Sequence, residues 1–107
     1  MLGVVKAEAL KGHLDALILA VLASGPLHGY AIIEELKRRS GGDLALPEGT
    51  VYPALHRLES AGFLSSSWAG EGRRRRVYAL TRRGRHELRA QREEWKRFAS
   101  TIEAVLA

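Results

Sequence analysis

Cysteine is absent from the 107 residues. That excludes a disulfide framework, a thiolate metal site and a cysteine nucleophile. It also fits a reducing compartment, so a cytoplasmic location is expected. No apolar run approaches the roughly 18 residues of a membrane span. The N-terminal stretch MLGVVKAEALKGHLDALILAVLA carries Glu8 and Asp15 and lacks the layout of a signal peptide. Catalytic patterns are missing too. Ser65, Ser66 and Ser67 stand outside any Gly-x-Ser-x-Gly elbow. Gly70-Glu71-Gly72 is a lone Gly-x-Gly, and no Gly-Lys-Ser/Thr phosphate loop occurs. His13, His28, His56 and His86 are scattered and form no His-Glu-x-x-His pair. No enzyme, cofactor or metal site is expected.

Acidic residues are scarce in one region. Residues 73–97 hold eleven of the 17 basic residues but three acids (Glu87, Glu93, Glu94), a local net charge of +8. The remainder carries −3, giving +5 overall. Charge segregated in this way points to a polyanionic partner. The alternative is a solvated arginine-rich surface.

Hydrophobic content of 46% suits one globular domain, and the length is too short for two. Leu10, Leu14, Leu17, Ile18, Val21 and Leu22 recur at spacings of three and four, which predicts a helix within 2–23 with Gly12 as a possible break. Pro26 ends it. A second helix is expected from His28-Gly29 to Ser40, stopped by Gly41-Gly42. Leu44-Ala45-Leu46 suits a bridge strand or a packed turn. A third helix should begin around Glu48–Thr50, because Pro53 is tolerated only near a helix start, and end at Ala61 before Gly62. Then the period changes. Phe63–Trp68 and Arg75–Leu80 read as two strands joined by a glycine-containing hairpin with a basic tip. Thr81 is the expected N-cap of a last helix, 82–106. On it Leu88, Trp95 and Ile102 lie seven apart, as do Gln91, Phe98 and Val105. Two interleaved heptad positions favour a partner helix, with packing on the chain's own domain as the alternative.

A helix followed by a basic hairpin is the pattern of a winged helix-turn-helix. One helix fits the DNA major groove, and its N-terminal residues reach base edges. On the third helix the candidates are Thr50, Tyr52, His56 and Arg57. Tyr52 can instead be a core aromatic, and Arg57 can pair with Glu59 or another surface acid. His28 and Tyr30, at the start of the second helix, would face the same backbone, with Tyr30 equally able to plug the core. Arg73, Arg74, Arg75 and Arg76 would hold phosphate or enter the minor groove.

In order, Leu-Ala-Ser-Gly-Pro at 22–26, His28-Gly29-Tyr30-Ala31-Ile32, Gly49 to Glu59 (GTVYPALHRLE), Gly62-Phe63-Leu64, Arg75-x-x-Tyr78-x-Leu80-Thr81 and Gly84 resemble the PadR family of bacterial transcriptional regulators. The resemblance covers nearly the whole chain. It implies a winged-helix homodimer that represses transcription from a palindromic operator, in the shorter subgroup with a single C-terminal helix. It also implies that the first and last helices exchange contacts between subunits, so the candidate interface is Leu10, Leu14, Leu88, Gln91, Trp95, Phe98, Ile102 and Val105. Trp95 matches a pore-lining tryptophan of a multidrug-binding relative. Trp95 and Phe98 are therefore candidate contacts for a small hydrophobic or aromatic effector, with seam packing as the other reading. Four consecutive arginines exceed what many relatives carry in the wing.

The expected architecture is mainly α with a small β-hairpin. Residues 1–80 form the DNA-binding unit and 81–107 the dimerisation helix. The competing function is a winged-helix protein-interaction module without specific DNA binding.

Overall fold

The computed structural model describes residue 10 and residues 12–107. Elements follow in the order α1 (Leu14–Leu22), β1 (Leu27–His28), α2 (Gly29–Arg39), α3 (Glu48–Ser60), β2 (Leu64–Ala69), β3 (Arg75–Leu80) and α4 (Arg82–Leu106). The expected arm at 2–9 lies outside the described residues. Gly12 takes φ +86° just before α1, a left-handed conformation that glycine adopts without a Cβ penalty, so it does interrupt the N-terminal helical pattern. No described helix is long and apolar enough to cross a membrane.

The core forms where apolar stripes meet. Ile18, Leu19 and Leu22 of α1, Ile32 of α2, and Val51 and Leu55 of α3 are fully buried. Leu64 and Tyr78 close it from the sheet, and Leu88 closes it from α4. Leu88 is 5% exposed, so the chain's own domain covers this member of the heptad row. The heptad spacing is real, but its first member falls at the level of the core and only the later members project past it. Leu14 likewise packs against the core as a partly buried residue.

The sheet has three strands, not two, in the order β1-β3-β2. Of the two readings of Leu44–Leu46, the packed turn is the one that forms, with Leu46 packed on the core. Leu27 and His28 take the third place, opposite Tyr78 and Val77 of β3. A two-residue strand carries no periodic signal, and its partner lies fifty residues away. In the hairpin Ser66 faces Tyr78 and Trp68 faces Arg76.

Helix ends follow local chemistry. α3 stops in a Schellman motif: Phe63 N–H donates to the Leu58 carbonyl and Gly62 N–H to that of Glu59, each at 3.0 Å. Gly62 supplies the required φ of +84°. Thr81 then caps α4, its Oγ1 accepting from Gly84 N at 3.0 Å while donating to the Gly62 carbonyl at 2.6 Å. The end of α3 and the start of α4 are thus joined through one hydroxyl.

Candidate nucleic-acid interface

α3 buries Val51, Ala54, Leu55 and Leu58. At 100° per residue, the opposite side carries Gly49, Tyr52, Pro53, His56 and Ser60, all exposed. His56 sits near the middle of this outward row. Thr50 and Arg57 fall on one flank, Glu59 on the other. Arg57 is engaged, its Nη2 lying 2.5 Å from Asp15 Oδ1 on α1. Of the acids open to it, the partner is Asp15 rather than Glu59. Glu59 faces the wing, accepting from Ser66 Oγ at 2.6 Å and lying 3.7 Å from Arg76 Nη2.

Tyr52 is neither a core residue nor a free one. It is 38% exposed, and its ring lies across Gly29, where an added Cβ would sit 2.6 Å from both Cε1 and the hydroxyl oxygen. Gly29 is therefore the residue that lets the third helix lean on the start of the second. Tyr30 does not plug the core; it is 57% exposed. Hydrogen bonding and charge from Glu34, with a smaller contribution from Glu48, raise its hydroxyl pKa, so it stays a neutral donor.

His28 caps α2. Its Nδ1 accepts from Ala31 N at 3.3 Å, and its Nε2 lies 3.1 Å from Arg75 Nη1. A neutral imidazole that accepts at Nδ1 carries its proton on Nε2. That proton then points at the guanidinium, itself a donor. Two converging donors at a helix N-terminus make an anion-attracting arrangement.

The wing arginines are not equivalent. Arg73 and Arg74 lie in the exposed connection, which Gly70 (φ +101°) and Gly72 (φ +67°) bend, and neither has an ion pair among the described residues. Arg75 turns to His28. Arg76 lies over the Trp68 ring, 5.4 Å from its centroid, and near Glu59. Asp15, Glu59 and Trp68 were not among the candidates read from sequence. The hairpin register places Trp68 opposite Arg76, a pairing that strand alternation alone does not give.

Away from this surface, α4 carries Trp95, Phe98, Ile102, Val105 and Leu106, each 41–79% exposed. Gln91 is turned along its own helix and donates to Glu87 at 2.8 Å. Between α1 and α4 runs a groove of about 1130 Å³, lined by Leu10, His13, Leu17, Trp95 and Phe98 among others. His13 meets Trp95 edge-on at 5.3 Å, and Phe98 lies 5.9 Å from Trp95. Among the described residues no group of three or more His, Cys, Asp or Glu side chains is placed to hold a metal ion.

Comparison with known proteins agrees with this geometry. Transcriptional regulator Rv3488 of Mycobacterium tuberculosis is 37% identical over 86 residues, 79% of this chain and 78% of that protein. A transcriptional regulator from Clostridium thermocellum superposes with a TM-score of 0.86 at 29% identity, covering 91% of this chain and 96% of the other. Bacillus subtilis PadR, solved in complex with operator DNA, gives a TM-score of 0.68 at 29% identity over 75% of this chain and 46% of its own. The family model for the PadR-like transcriptional regulators matches residues 18–90, from α1 through the wing into α4. The chain belongs to the PadR-like family of transcriptional regulators.

Proposed function

We propose that the chain is a homodimeric repressor that binds a palindromic operator and is released by a small apolar or aromatic effector. The observation that carries DNA binding is the outward row of α3, left uncovered by the chain itself and set beside an arginine hairpin. α3 enters the major groove with Thr50, Tyr52 and His56 toward the bases or the adjoining phosphates. His28, Tyr30 and Arg75 meet the flanking backbone at the start of α2. Arg73 and Arg74 meet phosphate from the wing tip. Arg57 takes part only by exchanging Asp15 for phosphate.

The dimer is supported by the uncovered seam of Trp95, Phe98, Ile102 and Val105, too apolar to stay in water on a chain this small. Leu10 and Leu14 extend it from the N-terminal side. The groove holding Trp95 and Phe98 adjoins that seam, so an effector there acts on the angle between the two DNA-reading heads.

Band shifts on the gene's own upstream region, across a salt series, test the reading. Binding to one duplex should exceed that to scrambled duplexes. Log affinity should fall with log salt by about 0.9 per phosphate neutralised. Equal affinity for every duplex would end the proposal of a specific repressor and favour a protein-interaction module. Sedimentation of wild type and of Phe98→Glu tests the seam, with dimer expected for the first and monomer for the second.

A further inference from the structure

One large exposed side chain of the hairpin has no role in the account above. Trp68 is 55% exposed at the outer end of β2. It shares a sheet face with Ser66 and Arg76. That face turns toward α3, because Ser66 donates to Glu59. Trp68 lies two residues further out, roughly 6.6 Å along the strand at 3.3 Å per residue. It thus stands beyond the flank of α3, and in the DNA-bound arrangement proposed above it lies beside the duplex seated on that helix.

Its surroundings are one-sided. The Arg76 guanidinium lies over the indole at 5.4 Å, and Glu59 stands 3.7 Å from the same guanidinium. The ring orients the cation, and the carboxylate balances its charge. Arg73 and Arg74 continue the positive surface toward the tip. An exposed indole under one guanidinium, on a hairpin whose connection carries Arg73 and Arg74, suits a surface that is apolar in patches and negative at its edges. Deoxyribose rings between phosphates are such a surface.

We propose that Trp68, with Arg76 laid over it, is a platform on the wing that packs against the sugar face of duplex DNA beside the groove read by α3. Arg76 acts here as a positioning residue, holding the indole flat, and is not a free phosphate ligand. The inference rests on the DNA-binding reading given above. It predicts that the platform adds affinity through contact area, without adding to the salt dependence. A half-exposed indole offers on the order of 100 Å². Covering about half of that corresponds to roughly tenfold in affinity.

The test uses the full chain labelled with 5-fluorotryptophan. Its two tryptophans, Trp68 and Trp95, give two fluorine resonances, and that of Trp68 is assigned by its absence in Trp68→Phe. The probe is the shortest upstream duplex that wild type retards. On saturation the Trp68 resonance should shift. Trp68→Ala should bind roughly tenfold more weakly, with an unchanged salt slope and an unchanged thermal midpoint, since the ring is exposed. Arg76→Ala should leave the salt slope unchanged, whereas Arg74→Ala should lower it by about 0.9. An unmoved Trp68 resonance, or a Trp68→Ala chain that binds as wild type does, overturns the platform. A salt slope lowered equally by Arg76→Ala and Arg74→Ala makes Arg76 a phosphate ligand and overturns its positioning role. A Trp68 resonance that moves with protein concentration in the absence of DNA assigns the ring to a contact between copies, and also overturns it. Failure of wild type to retard any duplex overturns this inference together with the reading beneath it, and is distinct from the other three results.

Discussion

Replacing Gly84 with alanine separates two lines of reasoning by sign. Gly84 lies in the first turn of α4, where helix propensity alone favours alanine by roughly 0.5–1 kcal/mol. The packing says the opposite. A Cβ there would lie 2.0 Å from the Phe63 carbonyl oxygen and 3.0 Å from its carbon. The obstacle is backbone, so no rotamer change relieves it; α4 and the end of α3 must part. The Phe63 oxygen also accepts from Thr81 N at 3.1 Å, and separation strains that bond as well. Overpacking in a tight interior costs about 1–3 kcal/mol, and a compromised hydrogen bond adds about 1 kcal/mol. Set against the propensity gain, the net loss is about 2 kcal/mol. For a chain near 100 residues that lowers the thermal midpoint by about 10 °C. Circular dichroism melts of Gly84→Ala and wild type at one protein concentration measure it, since dimerisation makes midpoints concentration-dependent. An equal or raised midpoint would show that the close approach of α4 to Phe63 is not a constraint on this fold.

Three further perturbations test the interface and the helices that carry it. Gly29→Ala should displace the Tyr52 ring, whose atoms lie within 2.8 Å of the added Cβ. It should weaken operator binding several-fold while stability changes little, because a half-exposed ring can swing out; band shifts beside a thermal melt separate the two effects. Asp15 and Arg57 are both partly exposed, so a double-mutant cycle on unfolding should give a coupling of about 0.2–1 kcal/mol, and a value at zero would show the pair to be idle in solution. Hydrogen bonds from Arg38, then Arg39, hold the Glu35 carboxyl down at about 2, against 4.5 for a free group. Its folded pKa is the lower one, so its stabilising share is present above pH 4.5 and fades as pH falls toward 2. Acid-unfolding curves of wild type and Glu35→Gln should differ above that window and converge below it.

How much was legible in the sequence depends on how local the cause is. The bounds of α3 were readable because glycine, proline and capping chemistry act within a few residues, and Gly62 behaves as expected. The Thr81 cap was readable for the same reason. β1 was not, since two residues pairing with a strand fifty positions away leave no period. Leu88 shows a second limit. Its heptad spacing is shared with Trp95 and Ile102, but periodicity states that a face is apolar without stating which neighbour covers it. The arginines show a third. Composition counts Arg57 and Arg73–Arg76 as equal charges. Folding then assigns Arg57 to Asp15, Arg75 to His28 and Arg76 to Trp68 and Glu59, leaving Arg73 and Arg74 without an ion pair among the described residues.

The hydroxyl of Thr81, shared between the Gly62 carbonyl and the Gly84 amide, has a mechanical consequence. It ties the residue that ends α3 to the first turn of α4, beside the Thr81–Phe63 backbone bond. The 25 residues of α4 then behave as a lever arm of about 37 Å at 1.5 Å per residue, welded to the reading helix at one end. In the proposed dimer, the pitch between the two reading heads is set by where the seam begins along that arm. One residue inserted between Leu88 and Trp95 would turn the seam by about 100° against its own head, while a whole seven-residue repeat would nearly restore the phase. The length of the arm, counted in turns, becomes the ruler that measures half-site spacing.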